Sequence, residues 1–264
     1  MRRTCTADMT LASRGDARLV LSLASHSTIG GVDDTLEVTQ GGEPVELTEL
    51  VDAHGNRIHR CDVGEGEVTV RYRAEVSGRA ESHEVSPLDE IVFLRPSRYC
   101  EADELVATAT REFAGLTRDE LLPAVSSWVG TNLEYVPGSS LPTDGAVRTL
   151  LAGKGVCRDY AHLVVALMRA LDVPARLASV YAPGLDPMDF HAVAEIAVDG
   201  QWRVVDATAL APRSSLVRIA TGRDAADTAF LSIHGAFVDL TELTVTATAD
   251  VLPDDDISTL VSIG

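Results

Sequence analysis

One lysine, Lys154, stands among the 22 basic residues of this 264-residue chain, against 40 acidic ones, for a formal net charge of −18. Nucleic acids and anionic lipid surfaces are bound by Lys and Arg replacing condensed cations, so such partners are not expected. No apolar run approaches the roughly 18 residues of a membrane span. The best early stretch, Leu19 to Ala24, is too short and too late for a secretory h-region. The four cysteines, Cys5, Cys61, Cys100 and Cys157, form no CxxC pair, which argues against a disulfide framework or a zinc knuckle and for a reducing, cytoplasmic setting. Glycine-rich phosphate loops, a GxSxG elbow and paired-carboxylate spacing are missing too, so no cofactor is called for.

What is present is an ordinary globular composition, 45% hydrophobic and 23% charged, long enough for one large or two ordinary domains. From Ala17 to about Val76, short β-rich runs alternate with turn residues at Gly30-Gly31, Gly41-Gly42, Gly55-Asn56 and Gly64 to Gly66. This is the pattern of an antiparallel β-sandwich or meander. Pro87 and Pro96 interrupt the ladder pattern, and a boundary is placed near residue 97, giving a β domain at 1–97 and a second domain at 98–264.

Beyond the boundary the apolar period turns helical. Helices are expected over Ala102 to Phe113, from the Thr117/Glu120 capping-box pair to about Asn132, from Thr143 or Asp144 to Leu151, and from about Val156 until Pro174. Pro123 conflicts with a regular helix from the Thr117 cap and calls for a kink or a later start. Strands return at Arg176 to Tyr181, His191 to Val198, Gln201 to Ala207 and Phe237 to Ala247, forming a sheet behind the helices. The fold class is α+β.

Cys157 falls at the predicted start of the fourth helix, where free N–H groups and the positive dipole end favour a thiolate. A lone cysteine is as readily a small buried hydrophobe. The hairpin at Asp199-Gly200 decides between the two. A two-residue turn there pairs residues whose numbers sum to 399, placing His191 and Asp206 on one face as diagonal neighbours roughly 7–8 Å apart at the backbone. Asp206 then fixes the imidazole tautomer and leaves the other nitrogen to polarise a thiol.

These residues resemble a family. Gly155-Val156-Cys157-Arg158-Asp159-Tyr160, then Leu171-Asp172-Val173-Pro174, then Phe190-His191-Ala192-Val193-Ala194-Glu195, then Trp202-Arg203-Val204-Val205-Asp206-Ala207-Thr208 are similar to the transglutaminase-like core of papain-related thiol enzymes. The likeness covers roughly Leu122 to Thr208, and the β-rich front half is similar to the N-terminal domain of many bacterial members. The resemblance implies a papain-like core of helices packed on an antiparallel sheet, and Cys157, His191 and Asp206 as catalytic residues forming a thioester on a protein or peptide substrate. Hydrolysis or transamidation completes the cycle. Val193 and Ala207 stand where family members usually carry tryptophan and proline, which favours hydrolysis.

Tyr135 and Asn132 precede the nucleophile at about the interval where the family places an aromatic, making Tyr135 a candidate oxyanion donor or pocket wall and Asn132 its neighbour. Asp159 is expected to fix the helix start, and His162 to be structural. His54, His59 and Cys61 suit a hairpin turning at His54-Gly55-Asn56 better than a metal site. A non-catalytic binding module retaining the fold is the alternative reading, and an arylamine-type acetyltransferase ranks last for want of a CoA-binding signature.

Overall fold

The computed structural model describes residues 1–78 and 84–263. In its first part, β1 (Arg3–Ser13), β2 (Ala17–Leu21), β3 (Val32–Gln40), β4 (Glu43–Pro44), β5 (Thr48–Val51), β6 (Arg57–Val63) and β7 (Gly66–Val76) follow one another. Then come α1 (Pro87–Val92), α2 (Ala102–Phe113), α3 (Arg118–Asn132), β8 (Glu134–Tyr135), α4 (Ala146–Ala152), β9 (Lys154–Gly155) and α5 (Cys157–Ala170). The chain continues through β10 (Ala175–Tyr181), β11 (Phe190–Val198), β12 (Gln201–Val205), β13 (Val217–Gly222), α6 (Ala225–Thr228), β14 (Leu231–Gly235) and β15 (Val238–Ala249).

Two sheets, ordered β15-β1-β7-β3-β4 and β14-β2-β6-β5, face each other as an antiparallel sandwich. Alternation drives it: along β1 the residues Cys5, Ala7, Met9 and Leu11 are buried while their neighbours face outward, so each strand contributes one apolar face to a shared core. The expected hairpin at His54-Gly55-Asn56 is present, with Val51 opposite Arg57. The strand at 3–13, which lies before the expected β region, shows the same period 2; its outward Thr and Asp residues obscure an otherwise regular signal.

One expectation is corrected. The run at Phe237 to Ala247 does not back the helices: β15 pairs with β1, from Arg3 opposite Ala249 to Ser13 opposite Val238, and β14 pairs with β2. The unit expected at 98–264 therefore gives its last two strands to the sandwich. Local pattern identifies a strand but not its partner, and these partners lie more than 200 residues away. In the boundary segment, Pro87 starts α1 instead of interrupting structure. It sits in the first turn, where a missing N–H costs nothing, and Ser86 and Asp89 exchange capping hydrogen bonds of 3.0 and 3.1 Å.

The second half is a helical layer on the sheet β12-β11-β10-β13. Helix α5 lies at its centre, buried on every side from Tyr160 to Arg169. Its contacts with α2, α3 and α4 and with Ala194, Ile196, Val198 and Val205 form the main core of this half. The other sheet face is covered by the sandwich near Tyr181, Val217 and Ile219 and by a cluster that includes Val180, Val193, Val204 and Ile263. Burial on both faces explains why these strands lack clean alternation. β13 was not expected because Arg218 interrupts its apolar run; the guanidinium is buried against Glu195 at 2.6 Å, with Arg176 on the same carboxylate at 2.8 Å.

α3 runs continuously from Arg118 with Pro123 inside it. The Glu120 carboxylate accepts from the Thr117 N–H at 2.8 Å and from its hydroxyl at 2.9 Å, so the expected pair does hold the helix start. α4 ends at Gly153, whose φ of 64° is the left-handed conformation that glycine adopts without steric cost.

Candidate active site

The hairpin that carries two of the candidate residues has the register expected from its turn. Val198 faces Gln201, Ala197 faces Trp202 and Ala194 faces Val205. Asp199 and Gly200 both have positive φ, 50° and 71°, as a type I′ turn requires. Asp206 follows the last paired residue of β12, and its Oδ2 lies 2.8 Å from His191 Nε2. Both side chains are almost wholly buried. A carboxylate only accepts, so Nε2 carries the proton in this bond.

The second carboxylate oxygen of Asp206 accepts from the Thr208 N–H at 2.9 Å and from its hydroxyl at 2.6 Å. Thr208 had no assigned role in the sequence, although an aspartate followed two residues later by a threonine is a spacing that side chain-to-backbone turns favour. On the far side, Gly130 of α3 comes so close to this segment that a Cβ there would stand 2.8 Å from the Ala207 carbonyl oxygen.

Cys157 is the first residue of α5 and is partly exposed, whereas Cys5, Cys61 and Cys100 are buried. The other three thiols are moved away from reactivity: burial pushes Cys5 up to about 12 and Cys61 up to about 11, and raises Cys100 further. Val156 is extended, which turns the chain into the helix, and Asp159 Oδ2 accepts the Val156 N–H at 2.8 Å. The other Asp159 oxygen accepts from Ser140 Oγ at 2.9 Å and from Arg158 at 3.1 Å. This fully buried carboxylate thus ties the start of α5 to the loop at 139–141.

Burial alone would lower the His191 pKa, but the Asp206 charge and hydrogen bond, joined by the Cys157 sulfur, outweigh it and raise the ring to about 10. Asp206 is correspondingly held below its ordinary value, with the His191 charge opposing the cost of burial. Both shifts favour the ionised forms of the pair. His191 Nδ1 is buried and, among the described residues, lacks a partner in regular hydrogen-bond geometry. The remaining group that acts on the ring is the Cys157 sulfur. A thiol, a positively biased imidazole and a fixed carboxylate can together support nucleophilic acyl chemistry.

Tyr135 is brought to the same place by β8, which pairs in parallel with β9 so that Tyr135 stands opposite Gly155. Burial and the nearby Cys157 sulfur push its phenol up to about 12, while the Cys157 backbone N–H acts in the opposite direction. Asn132 is not brought there: it is exposed at the end of α3, and its amide donates to the Trp128 carbonyl at 2.8 Å. Helix capping thus uses a group that sequence spacing alone had set beside Tyr135. His162 is structural, as expected, stacked on Tyr99 and accepting the Ala225 N–H at 3.1 Å. No cluster of three or more metal-ligating side chains occurs among the described residues, and no helix there is long and apolar enough to cross a membrane.

The site lies within the part of the chain that a known family matches. The profile of the transglutaminase-like superfamily matches residues 102–207, from the start of α2 to just past Asp206. Over nearly its full length the chain is similar to a solved structure of a candidate cysteine protease from Cytophaga hutchinsonii, at 34% sequence identity and a TM-score of 0.87, covering 98% of this chain and 96% of that one. An uncharacterized protein of Mycobacterium leprae is 25% identical over 154 residues, 55% of this chain and 54% of that protein. The chain thus spans about half the length of that curated relative. It belongs to the transglutaminase-like superfamily.

Proposed function

We propose that this chain is a cysteine-dependent acyl enzyme acting on amide or peptide bonds, with Cys157, His191 and Asp206 as its catalytic residues and hydrolysis as the main outcome. The Cys157 sulfur attacks the carbonyl carbon, His191 delivers its proton to the departing amine, and a thioester forms. Water, deprotonated by the same imidazole, then releases the acid and the free thiol; a second amine in place of water gives transamidation. The developing oxyanion is met by the Cys157 backbone N–H and the Tyr135 hydroxyl. The observation that carries this reading is the buried 2.8 Å contact of His191 with Asp206, and the raised His191 pKa, to which the Cys157 sulfur contributes, agrees with it.

Hydrolysis is favoured over transamidation by Val193. It is buried with Leu185 and Ile263 and supplies no aromatic wall beside the thiol. Iodoacetamide labelling read by intact mass tests the proposal. At mildly acidic pH the adduct is expected on Cys157, but exposure alone would also favour that thiol. The deciding comparison is therefore His191→Ala and Asp206→Asn: if Cys157 is alkylated as fast in both variants as in the wild type, the three side chains do not act together and the proposal fails. Capture of peptides as a Cys157 thioester then identifies the substrate.

A further inference from the structure

β12 is the edge strand of its sheet, and its ladder with β11 stops at Val205, one residue before Asp206. On its free edge lies the segment 255–263. Val204 N–H donates to the Val261 carbonyl at 2.8 Å, Ser262 Oγ donates to the Trp202 carbonyl at 2.8 Å, and Ile263 is buried beside Val193 and Val204. Arg203 Nη1 donates to Ser262 Oγ at 3.2 Å, and Arg213 makes most of the remaining side-chain contacts. Arg213 Nε and Nη2 donate to the two Asp255 oxygens, each at 2.9 Å, and Nη2 also reaches the Asp256 carbonyl at 2.6 Å and the Thr259 carbonyl at 3.1 Å. Nη1 donates back to the Val204 carbonyl at 3.3 Å. Arg213 is almost wholly buried, and its planar fork suits this bidentate, multi-carbonyl arrangement.

The strand end needs this support. A cavity of about 200 Å³ opens between α3, Asp206 and residues 257–260, so close packing does not hold Asp206 from that direction. Hydrogen bonds do: those of Thr208 to the carboxylate, and those of the strap to Trp202 and Val204. We propose that Arg213 is a positioning residue, which holds the C-terminal strap against β12 and so fixes the strand end from which Asp206 orients His191. This rests on the reading of His191 and Asp206 as a working pair. The cavity leaves room for the carboxylate to move once the clasp opens, and a shift of that kind degrades the alignment that acyl transfer needs.

The test uses the full chain carrying Arg213→Lys, which keeps the charge and loses the fork, and Asp255→Asn as a milder cut of the same contact. Two readings are taken. The first is the His191 ring titration by ¹⁵N NMR, on which Asp206 and Cys157 are the acting groups; it does not depend on turnover. The second is the rate of Cys157 alkylation near neutral pH. The single variants are expected to bring His191 down from about 10 toward its ordinary 6.5 and to slow alkylation about tenfold. Variants that melt earlier yet leave the His191 titration and the alkylation rate unchanged would make Arg213 a stability residue and overturn the proposal. A wild type whose Cys157 ignores His191 would instead sink the proposed reaction, with the NMR result still reporting on the clasp.

Discussion

Replacing Gly130 by alanine sets two effects of known size against each other. In the last turn of α3, the change should stabilise by at most about 1 kcal/mol, because glycine is the poorest helix former after proline. The new Cβ, however, would stand 2.8 Å from the Ala207 carbonyl oxygen, where ordinary contact begins at 3.4 Å. Both neighbours are backbone, so no rotamer change relieves the overlap of about 0.6 Å; α3 and the Asp206–Thr208 turn must separate, at a cost of about 1–3 kcal/mol. The net is a loss of about 0–2 kcal/mol, or a fall of up to about 8 °C in melting temperature at about 2–4 °C per kcal/mol. The activity loss should be larger than this implies. A displacement of that size stretches the 2.8 Å bond between Asp206 and His191 past useful length. Thermal melts and Cys157 alkylation rates, measured on the same preparation, separate the two effects. A Gly130→Ala protein that melts higher and is alkylated at the wild-type rate would refute the claim that helix and turn are in rigid contact.

Thr208→Val removes the hydroxyl donor to the Asp206 carboxylate and leaves the backbone donor; hydrogen bonds to charged groups set the expected loss at about 1.5–3 kcal/mol, read from urea midpoints. Glu195→Gln leaves Arg176 and Arg218 buried without their counter-charge, and a loss of about 3–5 kcal/mol is expected, enough to leave little folded protein in a denaturant titration. For the pH dependence, His191 is raised, so its share of stability is complete below its ordinary 6.5 and disappears as pH climbs through about 10. Asp206 is lowered, so its share is present above its ordinary 3.8 and is lost as pH falls through its depressed value. Comparing unfolding midpoints of the wild type and His191→Gln between pH 6 and 11 checks the first; equal slopes across that range would contradict it.

The parts of the fold written in short stretches of sequence were legible. The Asp199-Gly200 turn fixed the hairpin register and with it the meeting of His191 and Asp206. The apolar period of α5 and its stop near Pro174 located the helix that begins with Cys157. Less visible were elements whose meaning depends on distant partners. β13 hides its strand character behind Arg218, which is tolerable inside only because Glu195 meets it from β11. Asn132 and Tyr135 looked equivalent by position. One sits on a helix end that consumes its amide, and the other on a strand that aligns it with Gly155.

Strand β1 lies between β7 and β15, so strands more than 200 residues apart are neighbours across one ladder. A ribosome making this chain would release β1 well before its second partner, with α1 to α6 emerging between them. The sandwich would close only after those helices had emerged, with the loop-closure entropy of more than 200 residues falling on that step. Cutting the polypeptide near residue 97 would leave β14 and β15 as unpaired edges, ready to join other copies.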